Sequence, residues 1–390
     1  MNILKHMRAM NNKAIIIGGE HHNTLGVVKS LGMMGVDLTV CVISEKNFSV
    51  VLKSKYINEG FSFSTNEQCV DYLIKKYQHT SERIPILCCS DSIVATIDNR
   101  FEEMKSLFVL PLCHEKGQTS FYMDKENIVN VANNHGIKIP RSWKLIDRNI
   151  SDDIIYPCIT KPLQSINGSK RDIIVCSNKE ELEGVLKRDT DCNSYLVQEY
   201  IEREKEISIL GAVLDGSKDV VFSGCIDKLR EYGRGTSAFA VMLDNDIIGD
   251  VKEKLRKLLL EVTYSGLFSA EFLLYKGDLY FLEVNFRNDG NGYVPTYAGL
   301  NLPYIWFQST KGIVDYIDIV AKYPCYFMLE TCDLKNMLKG KVKLLQWLRD
   351  LKKVNCFYFF DKKDWKPFIY ALYDVFLRPV INRLLHVCKK

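Results

Sequence analysis

The chain has 390 residues, 47% hydrophobic and 26% charged, enough for two or three compact domains of ordinary composition. With 52 Lys and Arg against 48 Asp and Glu its net charge is +4, which excludes a uniformly basic nucleic-acid binder. Its 13 cysteines are irregularly spaced with no C-x-x-C pair, and no apolar run is long enough to span a bilayer. The odd, scattered Cys and an N-terminus, MNILKHMRAMNNK, without an apolar core or cleavage site predict a cytoplasmic protein with reduced thiols and no zinc site. Charge is unevenly placed: residues 335–390 hold fourteen Lys/Arg against four Asp, which leaves the rest acidic.

Residues 13–18 (KAIIIG) form a short apolar run ending in Gly18-Gly19, the pattern of a buried parallel strand. Helical spacing of Leu25, Val28 and Leu31, then the strand-like 36–43 (VDLTVCVI), complete a βαβ unit. Residues 84–89 (IPILCC) read as another buried strand with Asp91 at its carboxyl end, so 11–115 predict a small doubly wound domain. Gly18-Gly19 lacks the G-x-G-x-x-G fingerprint and reads as a tight packing turn. His21, His22 and Asn23 stand at a strand's carboxyl end, where α/β folds bind ligands; a plain polar loop has the same sequence.

Residues 123–136 predict a helix capped by Asp124 and stopped by Gly136 and Pro140. Strands at 154–161 and 172–176 flank the loop PLQSINGSKR. Its 167–169 N–H groups could face an anion, and a flexible hairpin tip has the same composition. A strand at 195–200 leads into alternation over 206–215, a return strand at 220–230 and an amphipathic helix at 251–264. Residues 290–303 are loop-like. From Tyr304 on, helical spacing, aromatics and lysines predict a mostly helical extension. It caps the body, meets a partner or lies on an anionic membrane surface. Lysines snorkelling over a packed appendage is the plainest of these.

The richest stretch chemically is 269–287, SAEFLLYKGDLYFLEVNFR. Two alternating runs flank Lys276-Gly277-Asp278, a turn that predicts a β-hairpin. Glu283, Asn285 and Arg287 are two apart and share a face. With the turn centred on Gly277, Glu271 lies across from Glu283, roughly 5 Å away. Two carboxylates at that separation repel unless a divalent cation sits between them. Oxygen ligands without His or Cys point to Mg²⁺ rather than Zn²⁺. Taken alone, a solvated edge with chance acids reads the same way.

In this order the segments resemble the ATP-grasp superfamily with a preceding pre-ATP-grasp domain, over about residues 12–310. YMDKENIVNVANNHGIKIP resembles the opening segment, which implies Lys125 on the nucleotide phosphates. CITKPLQSINGSK resembles the next strand and flap, with Lys161 at the α/β-phosphates and Gly168 in the covering loop. VQEYIEREKEIS resembles the hinge, with Glu199 and the Tyr200 and Ile201 backbone at the adenine and Glu206 at the ribose. DKLREYGRG supplies Lys228 and Arg230 toward the reacting phosphates. AEFLLYKGDLYFLEVNFRNDG resembles the metal strand pair, with Glu271, Glu283 and Asn285 as ligands and Arg287 beside the transferring phosphoryl group. Where the family ends Glu-x-Asn-Pro-Arg, this chain has Phe286 in place of Pro, on the face away from the ligands.

The resemblance implies an α/β pre-ATP-grasp domain at 11–115 and an α+β ATP-grasp domain at 116–310, followed by a basic, mostly helical extension at 311–390. Within the middle domain the small lobe covers about 125–200 and the large lobe about 201–310. It also implies ATP and Mg²⁺, with Mn²⁺ as a substitute, and small-molecule carboxylate and amine substrates. A homodimer is compatible with it. The activity implied is C–N ligation through an acyl phosphate, on an amino acid or cell-envelope precursor. GGEHHNTLGVVKSLGMMGVDLTV resembles the branch that contains D-aspartate ligase. Two alternatives stay open. One is a bicarbonate-activating enzyme of carbamoyl-phosphate or biotin-carboxylase type, and the other is an ATP-binding scaffold without turnover.

Overall fold

The computed structural model describes residues 12–46, 48–146, 149–162, 174–188, 194–216, 219–233, 235–314 and 319–378. Strands β1 (Lys13–Gly19), β2 (Asp37–Ile43), β3 (Glu59–Phe63), β4 (Ile84–Cys88) and β5 (Phe108–Val109) form a parallel sheet in the order β3-β2-β1-β4-β5. Ala14 and Ile16 of β1 pack with helix α1 (His22–Gly32). Ile15 and Ile17 pack with α2 (Asn66–Tyr77) and α3 (Asp91–Asn99) on the opposite face. Burial on both faces explains the unbroken apolar run of β1 and makes the domain doubly wound, as predicted.

Helix α1 has no solvent face: residues 22 to 31 are all buried. Its outer side shares one core with Leu210, Val221, Trp306 and Phe307, far along the chain. The first domain is therefore fused to the body through apolar contact.

Helix α4 (Lys125–Asn134) begins where expected, with the Asp124 carboxylate accepting the N–H groups of Glu126 and Asn127. Strands β6 (Ser142–Ile146), β7 (Cys158–Pro162), β8 (Ile174–Cys176) and β9 (Ser194–Glu199), with helix α5 (Lys179–Arg188), make the small lobe, sheet order β6-β9-β7-β8. The large lobe contains β10 (Lys205–Val213), β11 (Val220–Tyr232), β12 (Thr236–Leu243), α6 (Val251–Glu261), β13 (Gly266–Tyr275) and β14 (Asp278–Asn285). Helices α7 (Tyr293–Ala298) and α8 (Leu302–Ser309) follow, and α8 packs under the sheet through Trp306.

The region from 311 onward differs from the predicted helical appendage. Strand β15 (Cys325–Met328) pairs with β12, and after helices α9 (Glu330–Leu338) and α10 (Leu344–Lys353) strand β16 (Cys356–Phe357) pairs parallel to β15. The large sheet therefore runs β14-β13-β10-β11-β12-β15-β16. The apolar 355–360 segment accounts for this, since Cys356 and Tyr358 are buried. The chain beyond β16 is clamped from both sides. Glu330 accepts the N–H groups of Tyr358, Phe359 and Phe360. Lys29 of α1 donates to the carbonyls of Tyr358 at 2.7 Å and Phe359 at 3.2 Å. Asp364, just before helix α11 (Lys366–Leu372), accepts from Ser54 Oγ and the Lys55 N–H. The cysteines among the described residues are free of disulfides. No helix among these residues is long and apolar enough to cross a membrane.

The Lys29 side chain is fully buried, so truncation leaves the buried Tyr358 carbonyl and the part-buried Phe359 carbonyl unpaired, at about 1–3 kcal/mol for a buried one. Lys29→Ala is expected to lower the unfolding free energy by roughly 3 kcal/mol in urea melts. Limited proteolysis should then cut within residues 354–364 first. Unchanged stability and cleavage would disprove the clamp.

Candidate active site between the two sheets

Strands β13 and β14 form the predicted hairpin, with a correction to its turn. The connection is two residues, Lys276 and Gly277, with φ of 50° and 81°, both left-handed as a type I′ turn requires. That turn alone pairs Glu271 with Leu282. The register instead jumps from Phe272↔Phe281 to Glu271↔Glu283, a bulge with Leu282 as the extra residue. The two carboxylates face each other because of the bulge, not because the turn centres on Gly277.

Asn285 Nδ2 donates to Glu271 Oε1 at 3.3 Å, and Arg287 Nη2 donates to Asn285 Oδ1 at 3.0 Å. Lys125, in the first turn of α4, contacts the Glu283 carboxylate. Burial, and then the charges of Glu283 and Asp289, push the Glu271 carboxyl up to about 7. Phe286 is buried against Tyr264, away from these groups. Among the described residues no group of three or more His, Cys, Asp or Glu is assembled to hold a metal. Two carboxylates and an amide oxygen fit Mg²⁺ or Mn²⁺, which take one or two carboxylates and complete their shell with phosphate oxygens and water. A cation there offsets the repulsion that raises Glu271.

A cleft of about 940 Å³ lies between the small and large sheets. On its small-lobe wall Ser142 and Lys144 of β6 stand opposite Gln198 and Leu196 of β9, and all four line it. The opposite wall carries Lys228, Glu271, Glu283, Asn285 and Arg287, and α4 contributes Lys125. The Lys228 ammonium, nearly buried, contacts Glu206, which also accepts from Arg203 Nη1 at 2.6 Å. Burial pulls the Lys228 pKa down, but Glu206 outweighs it and the net shift is upward. Lys161 stands opposite Leu196 in the β7–β9 register. Its side chain, Gly168 and the expected flap lie outside the described residues.

Two expected residues, Glu199 and Arg230, are engaged elsewhere. Strand alternation turns Glu199 away from Gln198, and its carboxylate accepts the Arg141 N–H at 3.2 Å. The Tyr200 side chain is exposed and that of Ile201 buried, with their backbone following the cleft-lining Gln198 by two and three residues. Gln198 and Arg203, which sequence reading passed over, line the cleft. Arg230 also departs. A bulge at Leu229 pairs Lys228 with Ala240 but Arg230 with Phe239, so the two basic residues leave their common face. Arg230 stacks on Phe239, binds both Asp333 oxygens at 2.7 and 2.8 Å, and donates to Asp350 at 3.0 Å.

A second cavity, about 300 Å³, opens at the carboxylate end and shares Lys228, Glu271 and Arg287 with the cleft. His21 and His22 reach it from the start of α1, Ser90 and Asp91 from the start of α3, and Asp289 from the loop after β14. Arg287 holds Asp91 through two parallel bonds of 2.8 and 3.0 Å. Alternation within the hairpin signals Arg287, but nothing local signals that Asp91 is its partner. Asn23 lines the cavity with its amide already committed: Nδ2 donates to the carbonyls of Cys89 and Asn288, and Oδ1 accepts from Asn288. His21 Nδ1 accepts the Asn23 N–H, which puts the ring proton on Nε2. Burial holds both histidines below the usual imidazole range, His22 the further.

Residues 130–300 match the family model for the ATP-grasp domain. The chain carries that domain. The D-alanine–D-alanine ligase of Fusobacterium nucleatum is 28% identical over 168 residues, 42% of this chain and 55% of that enzyme. The chain spans about half, or less, of the length of the curated relatives it matches. Among solved structures, the biotin carboxylase domain of Hydrogenobacter thermophilus 2-oxoglutarate carboxylase, in complex with MgADP, ADP and bicarbonate, is similar at TM-score 0.62. The match covers 80% of this chain and 73% of that one at 17% identity. The L-amino acid ligase of Bacillus licheniformis is similar at TM-score 0.57 and 13% identity, over 78% and 75% of the two chains.

Arg230→Ala strands the fully buried Asp333, so it is expected to cost about 3–5 kcal/mol of stability in denaturant melts. Nucleotide binding by the folded fraction should persist, and a stable variant that fails to bind would return Arg230 to the site. The Glu271 pKa rises on folding from 4.5 to about 7, so its contribution to stability is full below 4.5 and lost as pH rises through about 7. In EDTA, stability should fall between about pH 4.5 and about pH 7, with a flatter slope in Glu271→Gln. Identical slopes would rule out the shift.

Proposed function

We propose that this chain is an ATP- and Mg²⁺-dependent ligase that joins a carboxylate to an amine. The observation that carries this reading is one cleft lined by the cations Lys125, Lys228 and Arg287 together with the Glu271–Glu283 pair, with a second cavity at the same end. In this reading the nucleotide occupies the 940 Å³ cleft, with its phosphates toward Lys125, Lys228 and Lys161 and its ribose toward Glu206. Mg²⁺ held by Glu271, Glu283 and Asn285 supplies neutralisation of the transferring phosphoryl group.

The substrate carboxylate binds in the smaller cavity, and one of its oxygens attacks the γ-phosphorus. The bond to the ADP oxygen breaks, ADP leaves, and an acyl phosphate forms. The amine then attacks the acyl carbon, phosphate departs, and the ammonium proton is lost to solvent. Arg287 stabilises the oxyanion that develops on the acyl carbon. A volume of about 300 Å³, the low end of small-molecule sites, supports a carboxylate of amino-acid size. The D-alanine–D-alanine ligase relative and the L-amino acid ligase fold add support. The fold neighbour solved with bicarbonate favours a second reading, in which bicarbonate is the carboxylate.

ADP release in Mg²⁺ across a panel of amino acids, bicarbonate and amines tests both. Stimulation by an amino acid with an amine is expected. ATP binding without stimulation by any pair would leave a scaffold instead. Glu283→Gln is expected to lower turnover about a hundredfold or more while leaving the melting temperature near the parent's.

A further inference from the structure

Helix α10 is turned the wrong way round for a packed appendage. Its inward side carries Asp350, buried and bonded to Arg230. Three of its four leucines face out: Leu344 is 55% exposed, Leu345 71% and Leu348 41%, while Leu351 and Trp347 are half-buried. At 100° per residue these three span one face of the helix, and Leu338 at the end of α9 adds a fourth exposed leucine at 62%.

Charge is sorted in the same sense. Lys341 and Lys343 precede the leucines, Arg349, Lys352 and Lys353 follow them, and all five are exposed. The only acid between residues 339 and 353 is Asp350, which Arg230 neutralises inside. Farther along, Asp364 is buried on Ser54 and Lys55, and Asp374 pairs with Arg378. Around α10 solvent therefore meets apolar side chains rimmed by cations; farther along, Asp361 stays half-exposed between Phe360 and Lys362. Helix α11 repeats the pattern with exposed Trp365 and Ile369 beside Lys366.

We propose that this C-terminal face docks the protein on an anionic phospholipid bilayer, with α10 lying in the interface. An exposed leucine face with a basic rim matches the chemistry of that surface, apolar acyl chains under anionic headgroups. The docking is peripheral, since no helix among the described residues is long and apolar enough to cross a membrane. It is independent of the reaction in the cleft.

Co-sedimentation of the full chain with sucrose-loaded vesicles tests this, comparing phosphatidylcholine alone with about 30% phosphatidylglycerol. The anionic vesicles are expected to bind at least about tenfold more protein, and about 0.5 M NaCl should remove most of the difference. Leu345→Glu with Leu348→Glu should reduce binding to the anionic vesicles at least about tenfold at an unchanged melting temperature. Lys352→Gln with Lys353→Gln, which leaves the leucines intact, should weaken binding several-fold and remain salt-sensitive. No binding to anionic vesicles, equal binding to both kinds, or leucine variants that bind like the parent would overturn the proposal. A dimer in light scattering that the same leucine substitutions disperse would assign the face to a second copy and overturn it too.

Discussion

Glu271 and Glu283 face each other across a bulged hairpin, and the charges around them are arranged in answer to that repulsion. Each cation at the site already has a carboxylate: Lys125 holds Glu283, Lys228 holds Glu206 and Arg287 holds Asp91. In the proposed reading, a nucleotide polyphosphate with about four negative charges would compete for all three at once. Binding is then an exchange of partners rather than an addition of charge, and released carboxylates become available to a cation. Among the described residues the site is a set of ion pairs, each cation matched to a carboxylate.

The same logic of shared parts fixes the architecture. The outer face of α1 is completed by the large lobe, and Asn23 and Asn288 exchange amide bonds across 265 residues of sequence. Chain from the far end returns over Lys29 and Ser54. These links fasten the cavity wall bearing His21, His22 and Asp91 to the wall bearing Arg287 and Asp289. Precise placement across a domain boundary demands rigid, buried joints, and buried amides and a buried lysine serve because their misplacement leaves polar groups unpaired.

Much of this was legible in local pattern. The βαβ start, the Asp124 cap and the metal-type hairpin follow from periodicity, turn chemistry and the spacing of Glu283, Asn285 and Arg287. What escaped depended on irregularities or distance. Arg230 shares a face with Lys228 by simple alternation, and only the bulge at Leu229, invisible in composition, separates them. Glu199 was read by resemblance, whereas the pleat puts Gln198 on the cleft wall. β15 and β16 are short and flanked by helices, so their helical surroundings masked two strands whose pairing depends on β12 nearly ninety residues earlier. The Asp91–Arg287 pair joins residues 196 apart and leaves no trace in either segment.

The bulge at Leu282 has a consequence for how this sequence can drift. It divides the hairpin into an outer part, in register with the Lys276–Gly277 turn, and an inner part, in register with β10. Residues gained or lost at the tip are absorbed there, since β10 holds Glu271 in place independently of the turn. Loss of the single extra residue at 282 would close the bulge and keep Glu283 opposite Glu271 in a regular ladder, whereas gain or loss of one residue between Glu283 and Arg287 would turn Arg287 to the opposite face. Relatives of this chain should therefore vary in length at the tip of the hairpin and hold constant the count from the bulge to Arg287.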